Sequence, residues 1–131
     1  MYLIDTSVLT RLARPVVAAA LLALEDVSVP PIAALEYRFS ASNPSEWDTM
    51  NAVLAGFGAS PFPPEAFDRA AQVQRLLTER GLKGRKPPDL LIAAHAELTG
   101  KIVVHYDRDY DHIASVTGQP TLWIAAPGTI D

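Results

Sequence analysis

The chain has 131 residues, no cysteine, 49% apolar residues and a formal net charge of −4. That length suits one domain, residues 1–131, with room for a real core. It excludes disulfides and thiolate metal sites, and no apolar stretch approaches the ~20 residues of a membrane span.

In chain order, Tyr2-Leu3-Ile4 reads as a short buried strand. Thr6-Ser7 signals a helix start, with Val8, Leu9 and Leu12 as its stripe, and Pro15 ends it and opens the next, to Leu24. Val27-Ser28-Val29 is a second strand, closed by Pro30-Pro31, and a helix from about Ile32 to Ala41 follows. Asn43-Pro44-Ser45-Glu46 is an N-cap, N1 proline and acidic first turn, opening a helix to about Phe57. A short strand can precede the proline-rich loop Ser60-Pro61-Phe62-Pro63-Pro64. Glu65 to Arg80 is an amphipathic helix with Phe67, Ala70, Ala71, Val73, Gln74 and Leu77 near one face. Gly81 to Pro88 is a basic loop, Asp89 to Leu98 a helix, Ile102-Val103-Val104 a strand, Asp109 to Val116 a helix and Leu122-Trp123-Ile124 the last strand. Alternating strands and helices predict a mostly parallel α/β sheet covered on both faces. With no leader and Asp5 interrupting the first apolar run, the default location is the cytoplasm.

Five acids break or border these apolar runs. Asp5 ends the first strand, Glu36 follows Ile32-Ala33-Ala34-Leu35, Asp89 opens Leu90-Leu91-Ile92, and Asp107 and Asp109 follow the Ile102-Val103-Val104 strand. Each has a plain structural explanation: Asp5 can cap a helix, Asp89 can favour a helix dipole, and Asp107, Asp109 and Asp111 can form a solvated turn. Glu36 is hardest to explain so, because its neighbours are apolar. Taken together, unpaired carboxylates at strand ends point to a shared site at the carboxyl edge of the sheet. Burial and like-charge repulsion make such a set costly without a counter-charge. No basic residue lies inside the runs, and all-oxygen donors suit Mg²⁺, with Mn²⁺ as the alternative. Setting the five aside leaves a slightly positive remainder, so net charge does not exclude nucleic acid. The chain has no P-loop, no G-x-G-x-x-G and no G-x-S-x-G. His95, His105 and His112 are not spaced as paired helical ligands and read as packing or surface residues.

The sequence resembles PIN-domain ribonucleases, and among them the VapC toxins of bacterial toxin–antitoxin pairs. Four segments carry the resemblance: Leu3-Ile4-Asp5-Thr6-Ser7, Leu35-Glu36, Pro88-Asp89-Leu90-Leu91-Ile92-Ala93-Ala94-His95-Ala96, and His105-Tyr106-Asp107-Arg108-Asp109-Tyr110-Asp111-His112-Ile113. Tyr110 stands where phenylalanine is common, and His105 where a threonine or similar residue is often seen. The resemblance implies a PIN-like three-layer α/β/α fold with a central, mostly parallel sheet. It implies Asp5, Glu36, Asp89 and Asp107 as catalytic acids, with Asp109 a frequent fifth, and Asp5, Asp89, Asp107 and Asp109 as metal ligands. It further implies metal-dependent cleavage of RNA such as tRNA or rRNA, a cognate VapB-type antitoxin and a homodimer. Thr6 and Ser7 can donate to neighbouring carboxylates. Lys83, Arg85 and Lys86 lead directly into the site and are the expected phosphate contacts, with Arg11, Arg14 and Arg38 as possible additions. Two other classes stay open: a non-toxin PIN-fold RNA-binding or RNA-processing module, and a DNA-directed nuclease of the flap-endonuclease type.

Overall fold

Two apolar triplets form the centre of the sheet because both of their faces are covered. A computed structural model describes all 131 residues. Its strands are β1 (Tyr2–Ile4), β2 (Val27–Val29), β3 (Gly58–Ala59), β4 (Ile102–His105) and β5 (Thr121–Trp123). All pair in parallel, in the order β3-β2-β1-β4-β5. Leu3, Ile4, Val103 and Val104 are fully buried, as continuous apolar runs in a parallel sheet should be. Seven helices complete the α/β/α arrangement: α1 (Thr6–Leu9), α2 (Pro15–Leu22), α3 (Pro31–Arg38), α4 (Pro44–Leu54), α5 (Ala66–Glu79), α6 (Pro87–Thr99) and α7 (Asp109–Thr117). None is long and apolar enough to cross a membrane.

The topology fixes where a ligand can sit. From β1 the chain builds outward through β2 and β3, then returns to place β4 on the other side of β1. The switch point of this sheet therefore lies between β1 and β4, and the crevice outside its carboxyl ends is the expected binding position. Register completes the placement. Leu3 pairs with Val103 and Ile4 with Val104, and the Asp5 N–H donates to the Val104 carbonyl at 2.9 Å. Asp5 thus leaves the sheet level with the end of β4, two residues before Asp107.

Local signals explain most helix boundaries. Asn43 accepts from the Glu46 N–H at 2.8 Å, the expected N-cap bond of α4. Gly100 and Gly118 end α6 and α7 with φ of 67° and 71°, a left-handed turn that glycine makes without penalty. Two expectations are corrected. The first helix stops at Leu9, because Arg14 must be extended before Pro15, and Leu12 packs from a turn. On α5 the buried stripe is Ala66, Ala70, Val73 and Leu77, while Phe67, Ala71 and Gln74 lie outside it and are exposed. Phe67 rests its ring edge-on against Phe62, with centroids 5.5 Å apart.

Helix α6 is buried almost all round. His95 is its one buried imidazole, held by Ser60 Oγ at 2.9 Å; Lys101 Nζ donates to the same hydroxyl at 2.8 Å and to Ser28 Oγ at 3.3 Å. Burial, reinforced by Lys101, lowers the His95 pKa to about 4, so it packs as a neutral ring. Because α6 carries Asp89 into the crevice, its packing sets the site. Ile92→Ala should cost about 2–5 kcal/mol in a urea titration. Phe39→Ser, at a side chain 90% exposed, should stay within about 0.5 kcal/mol of the parent.

Candidate metal centre

Each acid reaches the crevice by a different local device. Asp5 is the N-cap of α1 and is buried. Its Oδ2 accepts from the Ser7 N–H at 2.9 Å and from the Ser7 hydroxyl, and its Oδ1 accepts from the Tyr110 hydroxyl at 2.6 Å. The Ser7 hydroxyl oxygen also accepts from the Tyr106 N–H at 2.9 Å, tying the end of β1 to the end of β4. Asp89 stands in the first turn of α6, behind Pro87 and Pro88, and is buried. Its Oδ2 is inaccessible and has no hydrogen-bond partner. Asp107 and Asp109 are half-buried, and the Asp109 N–H donates to Asp107 Oδ1 at 2.9 Å. Arg85 Nη1 lies 3.0 Å from Asp109 Oδ1.

These residues meet in a cleft of about 420 Å³ whose walls include Asp5, Thr6, Ser7, Glu36, Asp89 and Asp107. Carboxylate oxygens of Asp89, Asp107 and Asp109 all lie within 4.8 Å of one another. Of the four metal ligands that the resemblance implies, Asp5 lies outside this closest set. The reason is that both Asp5 oxygens are already engaged by donors that fix the side chain. Glu36 is exposed rather than buried, beside Leu35 at 66% exposure, and it touches the rim by accepting from the Thr6 hydroxyl at 2.6 Å. Thr6 and Ser7 therefore both donate to carboxylates of the cleft.

The donor set fits a hard divalent cation: oxygens only, closely spaced, from a trio that includes a buried aspartate with an orphaned oxygen. The electrostatics agree. Burial pushes the Asp89 pKa up to about 7, with Asp5 and Asp107 adding to the rise, Lys86 opposing it and Asp109 contributing least. The Tyr110 phenol is raised well above its ordinary value by burial first and then by Asp5 and Asp89, so it remains a donor. His105 is lowered by burial despite the nearby Asp5, Asp111 and Asp107. Its Nδ1 accepts from the Asp107 N–H at 3.2 Å and its Nε2 is buried without a partner. Neither buried histidine offers a ring nitrogen to the cleft.

The expected basic patch divides. Lys86 lines the acidic cleft, whereas Lys83 is exposed beside a separate hollow against α5 with Gln74 and Arg75. Arg85 points to Asp109, so an uncommitted phosphate contact is not its state here. Arg11 donates to the Ser7 carbonyl at 2.7 Å and pairs with Asp131, as does Arg14 at 3.6 Å. Arg38 lies over Trp47 and donates to Asn51. Tyr110 is the residue sequence reasoning passed over. It and His105, the two departures from the family pattern, pack with ring centroids 4.9 Å apart and planes tilted by 33°, and the Tyr110 hydroxyl reaches Asp5. In the chain both flank Asp107, which marks the segment as unusual without pointing to its contact with Asp5.

The family described as PIN domain matches residues 2–116. Ribonuclease VapC51 of Mycobacterium tuberculosis is 47% identical over 99% of this chain and 97% of its own length, and Ribonuclease VapC18 of the same organism is 42% identical over 99% of each. Among solved structures, FitAcB from Neisseria gonorrhoeae superposes with a TM-score of 0.73 at 25% identity, covering 95% of this chain and 98% of that one. VapBC2 from Rickettsia felis, bound to a DNA fragment from its promoter, reaches 0.78 at 14% identity over 93% and 98%, a likeness of fold.

Asp5 and Asp89 should respond oppositely to loss of charge. Between the ordinary carboxyl value of 3.8 and about 7, folded Asp89 keeps a proton that the unfolded chain has released. The folded state binds more protons in that window, so stability falls as pH rises through it. In EDTA, Asp89→Asn should flatten this decline and equal or exceed the parent in stability at pH 7.5. Asp5→Asn should instead lose about 1 kcal/mol by disturbing its donors. Thermal unfolding of both variants from pH 4 to 8 checks the pair.

Proposed function

The chain belongs to the PIN-domain family, in its VapC branch, and on that premise we propose that it is a divalent-metal-dependent endoribonuclease, the toxin of a toxin–antitoxin pair. The observation that carries the metal reading is the close approach of Asp89, Asp107 and Asp109 carboxylates, with Asp89 buried and lacking any donor to its Oδ2. Asp89 and Asp107 would hold the cation, Asp109 stands beside them, and Mg²⁺ is the first choice with Mn²⁺ as substitute. When bound, such an ion acidifies water and polarises a phosphodiester.

The chain's own residues supply the rest. Ser7 and Tyr110 hold Asp5 rigid at the back of the cleft. Thr6 holds Glu36 at the rim, where the free Glu36 oxygen can orient water or a ribose hydroxyl. Lys86 is exposed on the cleft wall and can meet a phosphate of the bound strand. With both buried imidazoles turned away, proton handling falls to carboxylates and water. This favours hydrolysis by water over attack by a 2′-hydroxyl. The retained carboxylates argue against a binding-only module.

A structured RNA, tRNA or rRNA, is the substrate class, with loss of translation as the outcome in the cytoplasm. Several superposing structures are toxin–antitoxin complexes, including one from Klebsiella pneumoniae with a TM-score of 0.76. We assign this chain a VapB-type antitoxin and a homodimeric assembly on the same family grounds. An apolar groove lined by Leu12, Leu21, Leu22 and Phe57 offers such a partner a seat.

Labelled RNA should be cut in Mg²⁺ and left intact in EDTA, single-stranded DNA should survive both, and Asp107→Asn should lose at least about 100-fold in rate. Equal cleavage of DNA would replace this reading with a general nuclease. Lys86→Ala should weaken RNA binding across sequences and make the slope of log affinity against log salt shallower by about 0.7, one phosphate contact on a single strand.

A further inference from the structure

The acidic cluster already contains a cation of its own. Asp89, Asp107 and Asp109 crowd their oxygens within 4.8 Å, and one of the three is neutralised by the chain: Arg85 Nη1 stands 3.0 Å from Asp109 Oδ1. Neither partner is a freely solvated surface group, with side-chain exposures of 21% and 20%. The Arg85 Nε is buried and bonds to nothing, so the guanidinium is held there by its charge partner rather than by a network. The carboxylate without any donor is Asp89, whose Oδ2 is buried and unpartnered. Within this one cluster the acids therefore differ: Asp109 faces a fixed positive charge, and Asp89 and Asp107 face none.

We infer that Arg85 takes the place of a second metal ion, making this a one-metal site in which Asp109 serves the guanidinium. The inference rests on the metal-dependent reading above and adds to it the number of ions and a role for Arg85. A guanidinium carries one positive charge that pH does not remove. It lowers the field of the cluster enough to disfavour a second divalent ion, while leaving the Asp89 and Asp107 oxygens open. It also makes Arg85 a positioning residue. By holding Asp109, which in turn donates its N–H to Asp107 Oδ1 at 2.9 Å, it steadies the Asp107 carboxylate.

Counting bound Mn²⁺ by electron paramagnetic resonance tests this, with thermal unfolding in EDTA as a second readout. The parent should bind one Mn²⁺. Arg85→Gln should bind two and should melt lower in EDTA, with Mn²⁺ restoring more stability to it than to the parent. Arg85→Lys should keep a single ion, and Arg85→Gln combined with Asp109→Asn should return to one. Two ions of comparable affinity in the parent would overturn the inference while leaving the metal reading intact, as would a single ion of unchanged affinity in Arg85→Gln. No bound Mn²⁺ in any of these proteins would overturn both.

Discussion

The structure turns on a carboxylate that the fold buries and leaves without a donor. Asp89 stands in the first turn of a helix packed almost all round, at the one place where the sheet opens a crevice. Helix burial alone would favour an apolar residue there. What argues for the aspartate is its company: Asp5 from the end of β1 and Asp107 from beyond the end of β4, brought together by the register of two largely buried strands. Burial first, and then the like charges of Asp5 and Asp107, raise the Asp89 pKa to about 7. A divalent ion would remove that burden, which is why the cost reads as readiness for a ligand.

The other acids of the cleft are relieved in other ways. Asp5 has three donors, two from Ser7 and one from Tyr110. Asp109 has Arg85, and Glu36 has Thr6 and open solvent. The cluster is thus graded, from a carboxylate fully served by the protein to one not served at all. That gradient, more than the number of acids, supports the proposed roles: rigid wall for Asp5, ion holding for Asp89 and Asp107, and charge balance through Asp109.

Much of this was legible in the amino-acid order. Apolar triplets marked β1 and β4, Pro15 and Pro44 marked helix starts, and acids interrupting apolar runs pointed to the crevice. Sheet order followed only from the structure, since period and propensity do not say which strand is central. Burial was misjudged where neighbours stood in for environment. Glu36 follows an apolar stretch, yet Leu35 beside it is largely exposed, because α3 turns only Ala33 fully inward. The contacts that grade the acids join residues far apart in the chain, Tyr110 to Asp5 across 105 positions and Arg85 to Asp109 across a helix and a strand. No local pattern encodes them. Arg85 in particular looked like one of three equivalent cations in a glycine-bounded loop, and only the path of that loop separates it from Lys83 and Lys86.

The central claim is that Asp89 and Asp107 form a cation site ready for an ion. Crystals of the wild-type chain soaked in Mn²⁺ and measured at the manganese absorption edge test it directly. The account predicts one strong anomalous peak in contact with carboxylate oxygens of both Asp89 and Asp107. A map with no peak at that cleft, in crystals that take up Mn²⁺ elsewhere, would contradict it.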